Sequence, residues 1–170
     1  GETIVKKIKE YIQTGTLRLL ERERADPKNI FSDIYGIGPK KAADLVNKGI
    51  TSIEQLREKQ TDMLNNVQKI GLTHYEDILK RIPRKEVEEY KTRLEELFNQ
   101  IKETDSQFEI VGSFRRGAKT SGDIDIIVTS ENKEVFKKFI DKLLEEKIII
   151  ELLSRGNTKS LVVAKLPSSD

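Results

Sequence analysis

From residue 107 onward, the apolar residues of this chain stop recurring every three or four positions and begin to alternate. Before that point Val87, Tyr90, Leu94, Leu97, Phe98 and Ile101 form a helical stripe. After it, Phe108-Glu109-Ile110-Val111 and residues 122–129 read as two strands. Lys133 to Glu146 returns to helix, with Val135, Phe136, Phe139, Ile140, Leu143 and Leu144 inward, and Ile148–Leu153 and Leu161–Leu166 read as two further strands. Helices first and a sheet with helices second is an α+β order.

The second strand carries chemistry. Ile124, Ile126 and Val128 alternate with Asp123, Asp125 and Ile127, and side chains two apart on a strand share a face. Asp123 and Asp125 therefore project together, which suits Mg²⁺, a hard cation held by one or two carboxylates and completed by water and substrate phosphate. Immediately upstream lies Gly112-Ser113-Phe114-Arg115-Arg116-Gly117, offering backbone N–H, hydroxyl and guanidinium groups to a phosphate. A carboxylate pair, a divalent metal and a phosphate-holding turn together describe phosphoryl transfer involving a nucleotide. An acidic pair on a strand is a weak signal alone; the ordered string G-S-x-x-x-G followed by G-D-x-D is far more specific.

Composition narrows the alternatives. The 170 residues allow one domain or a few small subdomains. Charged residues make up 35% and aromatics 6%, which favours small helical units over a large core. The net charge of +2 excludes a generally polyanion-binding surface, so any nucleic-acid contact must come from local basic patches. The absence of Cys excludes thiolate sites and disulfides and fits a reducing compartment without proving one; an intracellular place, nucleus or cytoplasm, depends on the source. The single His74 excludes an imidazole cluster. No apolar run approaches a membrane span, and no signal peptide is visible. Gly1 opens straight into a helical pattern and the chain stops at Pro167-Ser168-Ser169-Asp170, so it reads as part of something longer.

In the helical part, Ile4, Val5, Ile8, Tyr11 and Ile12 give one apolar face, with Gly15 at the C-cap position and Lys6, Lys7 and Lys9 clustered on the same helix. A short helix follows over residues 16–24. Phe31-Ser32-Asp33-Ile34-Tyr35-Gly36-Ile37-Gly38-Pro39-Lys40-Lys41 then reads as a helix, a glycine hairpin and a second helix beginning at Pro39. Such a helix-hairpin-helix leaves backbone N–H groups at a helix start, where they meet a DNA phosphate without reading sequence; Gly36, Gly38, Lys40 and Lys41 are the expected contacts. Thr51-Ser52-Ile53-Glu54 reads as a capping box. Residues 64–80 continue as short helices.

Taken together, G-S-F-R-R-G-x-x-x-S-G-D-x-D resembles a family X DNA polymerase, the polymerase beta-like group of nucleotidyltransferases. The resemblance runs from Lys6 to Leu166. It implies the end of a lyase-like helical domain (residues 1–24), a helix-hairpin-helix DNA-binding subdomain (25–103) and the first part of a nucleotidyltransferase palm with a mixed β-sheet (104–170). It implies Mg-dependent transfer of a nucleotide from a dNTP to a primer 3′-hydroxyl in gapped or nicked duplex DNA, as in base excision repair, by a monomer. Asp123 and Asp125 are implied as catalytic ligands of two Mg²⁺ ions. Ser113, Arg116, Gly122 and Asp123 are implied around the nucleotide, with Arg81 of the K-R-I-P-R string near its triphosphate.

The carbonyls of Ser32, Ile34 and Ile37 are implied as ligands of Na⁺ or K⁺ at the hairpin. Thr158 and Lys159, in the turn Ser154-Arg155-Gly156-Asn157-Thr158-Lys159, are implied at a DNA phosphate, although a plain hairpin turn explains Gly156 and Asn157 equally well. Lys7 matches a lysine that forms a Schiff base during 5′-deoxyribose-phosphate removal. The family's third carboxylate would lie beyond Asp170. Two rivals stay open: a template-independent nucleotidyltransferase on the same palm, and a DNA-binding module that has lost catalysis.

Overall fold

In this computed structural model residues 1–167 are described, so the reading of the chain's last residues lies outside them. The chain divides into two compact units, Gly1–Tyr75 and Glu76–Asp170.

The first unit is helical: α1 (Glu2–Thr14), α2 (Arg18–Ala25), α3 (Pro27–Ser32), α4 (Pro39–Asn47), α5 (Ile53–Met63) and α6 (Asn66–Thr73). Each boundary has a local cause. Gly15 ends α1 in the left-handed conformation at φ 73°, returning its N–H to Tyr11 O at 2.8 Å. Asp26 caps α3, its side chain accepting from Lys28 N, and Pro27 takes the first helical position, where no N–H is needed. The core comprises Phe31, Ile34, Ile37, Ala42, Leu45, Ile50, Leu56, Leu64 and Leu72. It is drawn from α3 to α6 and the hairpin, and α1 adds nothing to it. The α1 stripe is at least half exposed at Ile4, Val5, Ile8, Tyr11 and Ile12.

Two caps differ from the sequence reading. The cap of α5 is Ser52, which accepts from Gln55 N at 3.2 Å, while Gln55 Oε1 accepts from Thr51 N at 2.9 Å. Thr51 and Glu54 therefore do not form the capping pair expected. A true capping box opens α6 instead, between Asn65 and Gln68.

In the second unit, α7 (Tyr75–Leu79) spans the boundary and is followed by β1 (Ile82–Pro83), α8 (Arg84–Ile101), β2 (Gln107–Ile110), α9 (Gly112–Arg115), β3 (Thr120–Ser121), β4 (Ile126–Thr129), α10 (Glu134–Glu145), β5 (Ile149–Arg155) and β6 (Ser160–Ala164). The described strands form three antiparallel pairs: β1 with β3, β2 with β4, and β5 with β6. Helices α8 and α10 pack their apolar stripes against these ribbons. Phe98 of α8, Phe108 of β2 and Phe139 of α10 meet with ring centroids 5.4–6.0 Å apart, a tilted and edge-on arrangement that aromatic quadrupoles favour. Tyr90 donates its hydroxyl to Ala164 O at 3.2 Å, tying α8 to β6. Tyr90, Leu94, Leu97 and Phe98 of α8 lie in this core.

Candidate active site

The carboxylates precede the strand rather than sit on it. β4 begins at Ile126, not at residue 122, yet the extended alternation continues upstream. Asp123, Asp125 and Ile127 are exposed, while Ile124, Ile126 and Val128 are half-buried, and Val111 N donates to Asp125 O at 2.9 Å, prolonging the β2–β4 pairing by one bond. The apolar residues hold this segment down so that both acids share the open face. No cluster of three or more Asp, Glu, His or Cys able to hold a metal occurs among the described residues. Two carboxylates completed by water and phosphate still fit Mg²⁺.

The turn lies directly against Asp125. Gly112 adopts φ 69°, and a Cβ built on it would stand 2.6 Å from Asp125 Oδ2. Only glycine allows both that backbone and that approach. Val111 supplies no side-chain cap to α9, and the amides of Gly112 and Ser113 make no hydrogen bond among the described residues. Donors are therefore left open beside a carboxylate pair. Ser113 Oγ bonds Ser121 Oγ at 2.9 Å, and Ser121 is 1% exposed. The guanidinium of Arg116 is exposed and without an ion pair among the described residues. Arg115, its neighbour, pairs instead with Glu109 at 3.5 Å.

Arg81 reaches this place through a pairing that the sequence did not reveal. The β1–β3 ladder sets Ile82 opposite Ser121, so Arg81 donates from Nε to Thr120 Oγ1 at 3.2 Å and from Nη2 to Thr120 O at 3.0 Å. Its Nη1 would stand 3.2 Å from a Cβ on Gly122. The structure thus gathers Arg81, Ser113, Gly122 and both acids around one turn.

In the first unit, Ile34 and Ile37 are buried and fix the hairpin, leaving Gly36, Gly38 and Lys40 exposed and Lys41 half-exposed. Gly36 has φ 87°. The α4 cap is Gly38, which has no side chain to satisfy the helix start, and the amides of Gly36, Gly38, Lys40 and Lys41 donate to no described residue. Gln68 Nε2 donates to Gly36 O at 3.0 Å. A Cβ on Gly71 would collide with the Tyr35 carbonyl, so α6 braces the hairpin from behind. Of the three carbonyls expected at a monovalent cation, Ile34 O accepts from Ile37 N at 3.0 Å, and those of Ser32 and Ile37 have no partner among the described residues.

Thr158 and Lys159 are exposed in the β5–β6 turn, closed by Gly156 N to Lys159 O at 2.8 Å. Arg155 fastens this turn to α10 through Asp141 at 2.7 Å. Thr158 also lines a shallow groove of about 310 Å³ with Ile126, Val128, Lys133 and Phe136; neither Asp123 nor Asp125 lines it. Lys7 is exposed on α1, where no residue is buried.

Comparison with known proteins meets this geometry from outside. Residues 29–79 match the family model for the fingers domain of DNA polymerase lambda, and residues 81–170 match that for the DNA polymerase beta palm. The chain belongs to the family X DNA polymerases. Among curated members it is 38% identical over 152 residues to DNA polymerase lambda of Arabidopsis thaliana, covering 85% of this chain and 28% of the relative. It is 33% identical over 162 residues to the type-X family protein pol4 of Schizosaccharomyces pombe, covering 91% and 31%. DNA polymerase lambda of Rattus norvegicus is 30% identical over 180 residues, covering 99% and 31%. The chain thus spans under a third of the length of these family X relatives. Two side chains that the sequence reading gave no role, Ser121 and Arg84, support the family X turn, and both stand inside strings that the reading quoted.

Proposed function

We propose that the full-length protein containing this chain is a DNA-directed DNA polymerase that fills short gaps by transferring a nucleotide from a dNTP to a primer 3′-hydroxyl, with pyrophosphate leaving. The observation that carries this reading is the contact of the Gly112 turn with the Asp125 carboxylate. It sets open phosphate-binding donors beside the acids that would hold Mg²⁺. When bound there, Mg²⁺ supplies charge neutralisation for the triphosphate and acidifies the attacking hydroxyl.

The chain's own residues bind and orient. The amides at Gly112, Ser113 and Gly122, the Ser113 hydroxyl and the Arg116 guanidinium hold the β- and γ-phosphates, with Arg81 alongside. Asp123 and Asp125 would hold the cation. The hairpin amides at Gly36, Gly38, Lys40 and Lys41 grip a DNA backbone phosphate, and the Ser32, Ile34 and Ile37 carbonyls accept Na⁺ or K⁺ there. Thr158 and Lys159 add a second backbone contact.

Primer extension tests the proposal. A one-nucleotide gap should be filled in Mg²⁺, with the base chosen by the template. Equal extension of a single strand would favour a template-independent transferase, and salt-sensitive DNA binding with no effect of Mg²⁺ on dNTP affinity would leave only a binding module.

A further inference from the structure

The guanidinium of Arg84 reaches into the Gly112–Gly117 turn and the residues just after it. It donates from Nη1 to Phe114 O at 2.9 Å and to Ala118 O at 3.2 Å. Its Cζ lies 4.2 Å from the centroid of the Phe114 ring, and its Nε is 3.6 Å from Glu88 on the next turn of α8. The Arg84 amide also donates to Lys119 O at 2.9 Å. One residue at the start of an 18-residue helix therefore holds three carbonyls, those of Phe114, Ala118 and Lys119, in and just after the segment that carries Ser113 and Arg116.

Fixing a carbonyl fixes the amide on its far side, because the peptide is planar and trans, with C=O and N–H pointing oppositely. The bond to Phe114 O thus sets the Arg115 N–H, and the bond to Ala118 O sets the Lys119 N–H. Stacking on Phe114 adds a second restraint on the same turn. Charged donors to carbonyls are among the stronger protein hydrogen bonds, whereas the turn itself is only a four-residue helical segment.

We propose that Arg84 is a positioning residue. It keeps the Gly112–Gly117 turn in the conformation that holds a nucleotide's terminal phosphates, without touching the nucleotide itself. This rests on the polymerase reading above and adds a prediction that the reading does not contain. Loss of Arg84 weakens recognition of the diphosphate tail, whichever base is attached.

The test compares wild type with Arg84→Met, which keeps the stem over Phe114, and Arg84→Lys, which keeps the charge but not the fork, all in the full-length protein. Arg84→Met should raise KM for all four dNTPs about tenfold, leave kcat within about twofold, and weaken inhibition by magnesium pyrophosphate by the same factor. KM for gapped DNA should not change, and Arg84→Lys should recover part of the loss. A fall in kcat or melting temperature with unchanged KM for dNTP would make the role merely structural and overturn the proposal. If wild type extends no primer, the polymerase reading fails by itself. Calorimetric binding of magnesium pyrophosphate to wild type and variants then decides, and equal affinity, or none in either, overturns the Arg84 proposal as well.

Discussion

The hairpin of the first unit and the turn of the second are built on one device and supported in opposite ways. Both place a glycine at positive φ beside an uncapped helix start, so that backbone donors stay open. The hairpin is anchored by apolar burial of Ile34 and Ile37 and braced by Gln68 and Gly71, with Lys40 exposed and Lys41 half-exposed beside it, the latter 3.9 Å from Asp44. The turn is anchored by polar contacts from Arg84 and Ser121 and has Asp125 pressed against it. A site of amides and lysines takes an anion directly. A site of amides and carboxylates takes one only with a divalent cation between them. On the proposed function, the difference separates a standing hold on DNA from a metal-dependent hold on a nucleotide.

The comparison breaks most sharply at Asp125. In the full-length protein Asp125→Ala should lower primer extension roughly a thousandfold, about 4 kcal/mol of barrier, while gapped-duplex affinity in a gel-shift assay stays within about twofold. A parallel loss of DNA binding would show that the two sites are not distinct.

Next in size are two glycine substitutions, each directed at one site. Gly71→Ala drives a Cβ into the Tyr35 carbonyl and should cost roughly 1–3 kcal/mol in displaced hairpin. Duplex affinity should then fall about tenfold or more, with dNTP binding unchanged. Gly112→Ala meets both strain at φ 69° and the Asp125 carboxylate. It should cost roughly 1–3 kcal/mol and show the reverse pattern. Fluorescence anisotropy with labelled duplex and with labelled dNTP reads both.

A smaller effect sharpens the electrostatic side. Lys40→Ala should reduce the slope of log affinity against log salt for duplex DNA by about one, with no change in its dependence on Mg²⁺. An unchanged slope would remove Lys40 from the DNA contact.

The smallest concerns pH. Burial, and then the nearby Glu86 carboxylate, push the Tyr90 phenol above its ordinary value of 10.0, partly offset by a backbone hydrogen bond. The protonated phenol is the form favoured in the fold, so its stabilisation is complete below about pH 10 and is lost as pH rises through the folded-state value. Hydrogen exchange should show the second unit loosening in alkali before the first, and Tyr90→Phe should blunt that response.

The candidate site was legible where its pattern is local. Asp123, Asp125, Ser113, Gly36 and Gly38 were singled out by type and spacing within a few residues, and the switch from helical to alternating period located β2 and β4 but set the start of β4 four residues early. What escaped is long-range. Arg84 lies 30 residues from Phe114 and Gln68 lies 32 from Gly36, and two-residue strands such as β1 and β3 carry no period of their own. Arg81 was suspected from a string, but only the β1–β3 ladder next to it and its side-chain hydrogen bonds to Thr120 explain how it reaches Gly122. The α1 stripe was read as one apolar face, and its spacing does not say whether that face is covered; Ile4, Val5, Ile8, Tyr11 and Ile12 are exposed. The cap at Asn65 was missed for a simpler reason: Asn65 and Gln68 form a capping box that the S/T-x-x-E pattern overlooks.

The most direct test of the account is the affinity of a non-hydrolysable dNTP analogue, measured by calorimetry with and without Mg²⁺ for wild type, Asp123→Asn and Asp125→Asn. The account predicts that Mg²⁺ tightens binding in wild type and that each amide substitution removes most of that gain. Affinity that is indifferent to Mg²⁺, or unchanged in both variants, would contradict it.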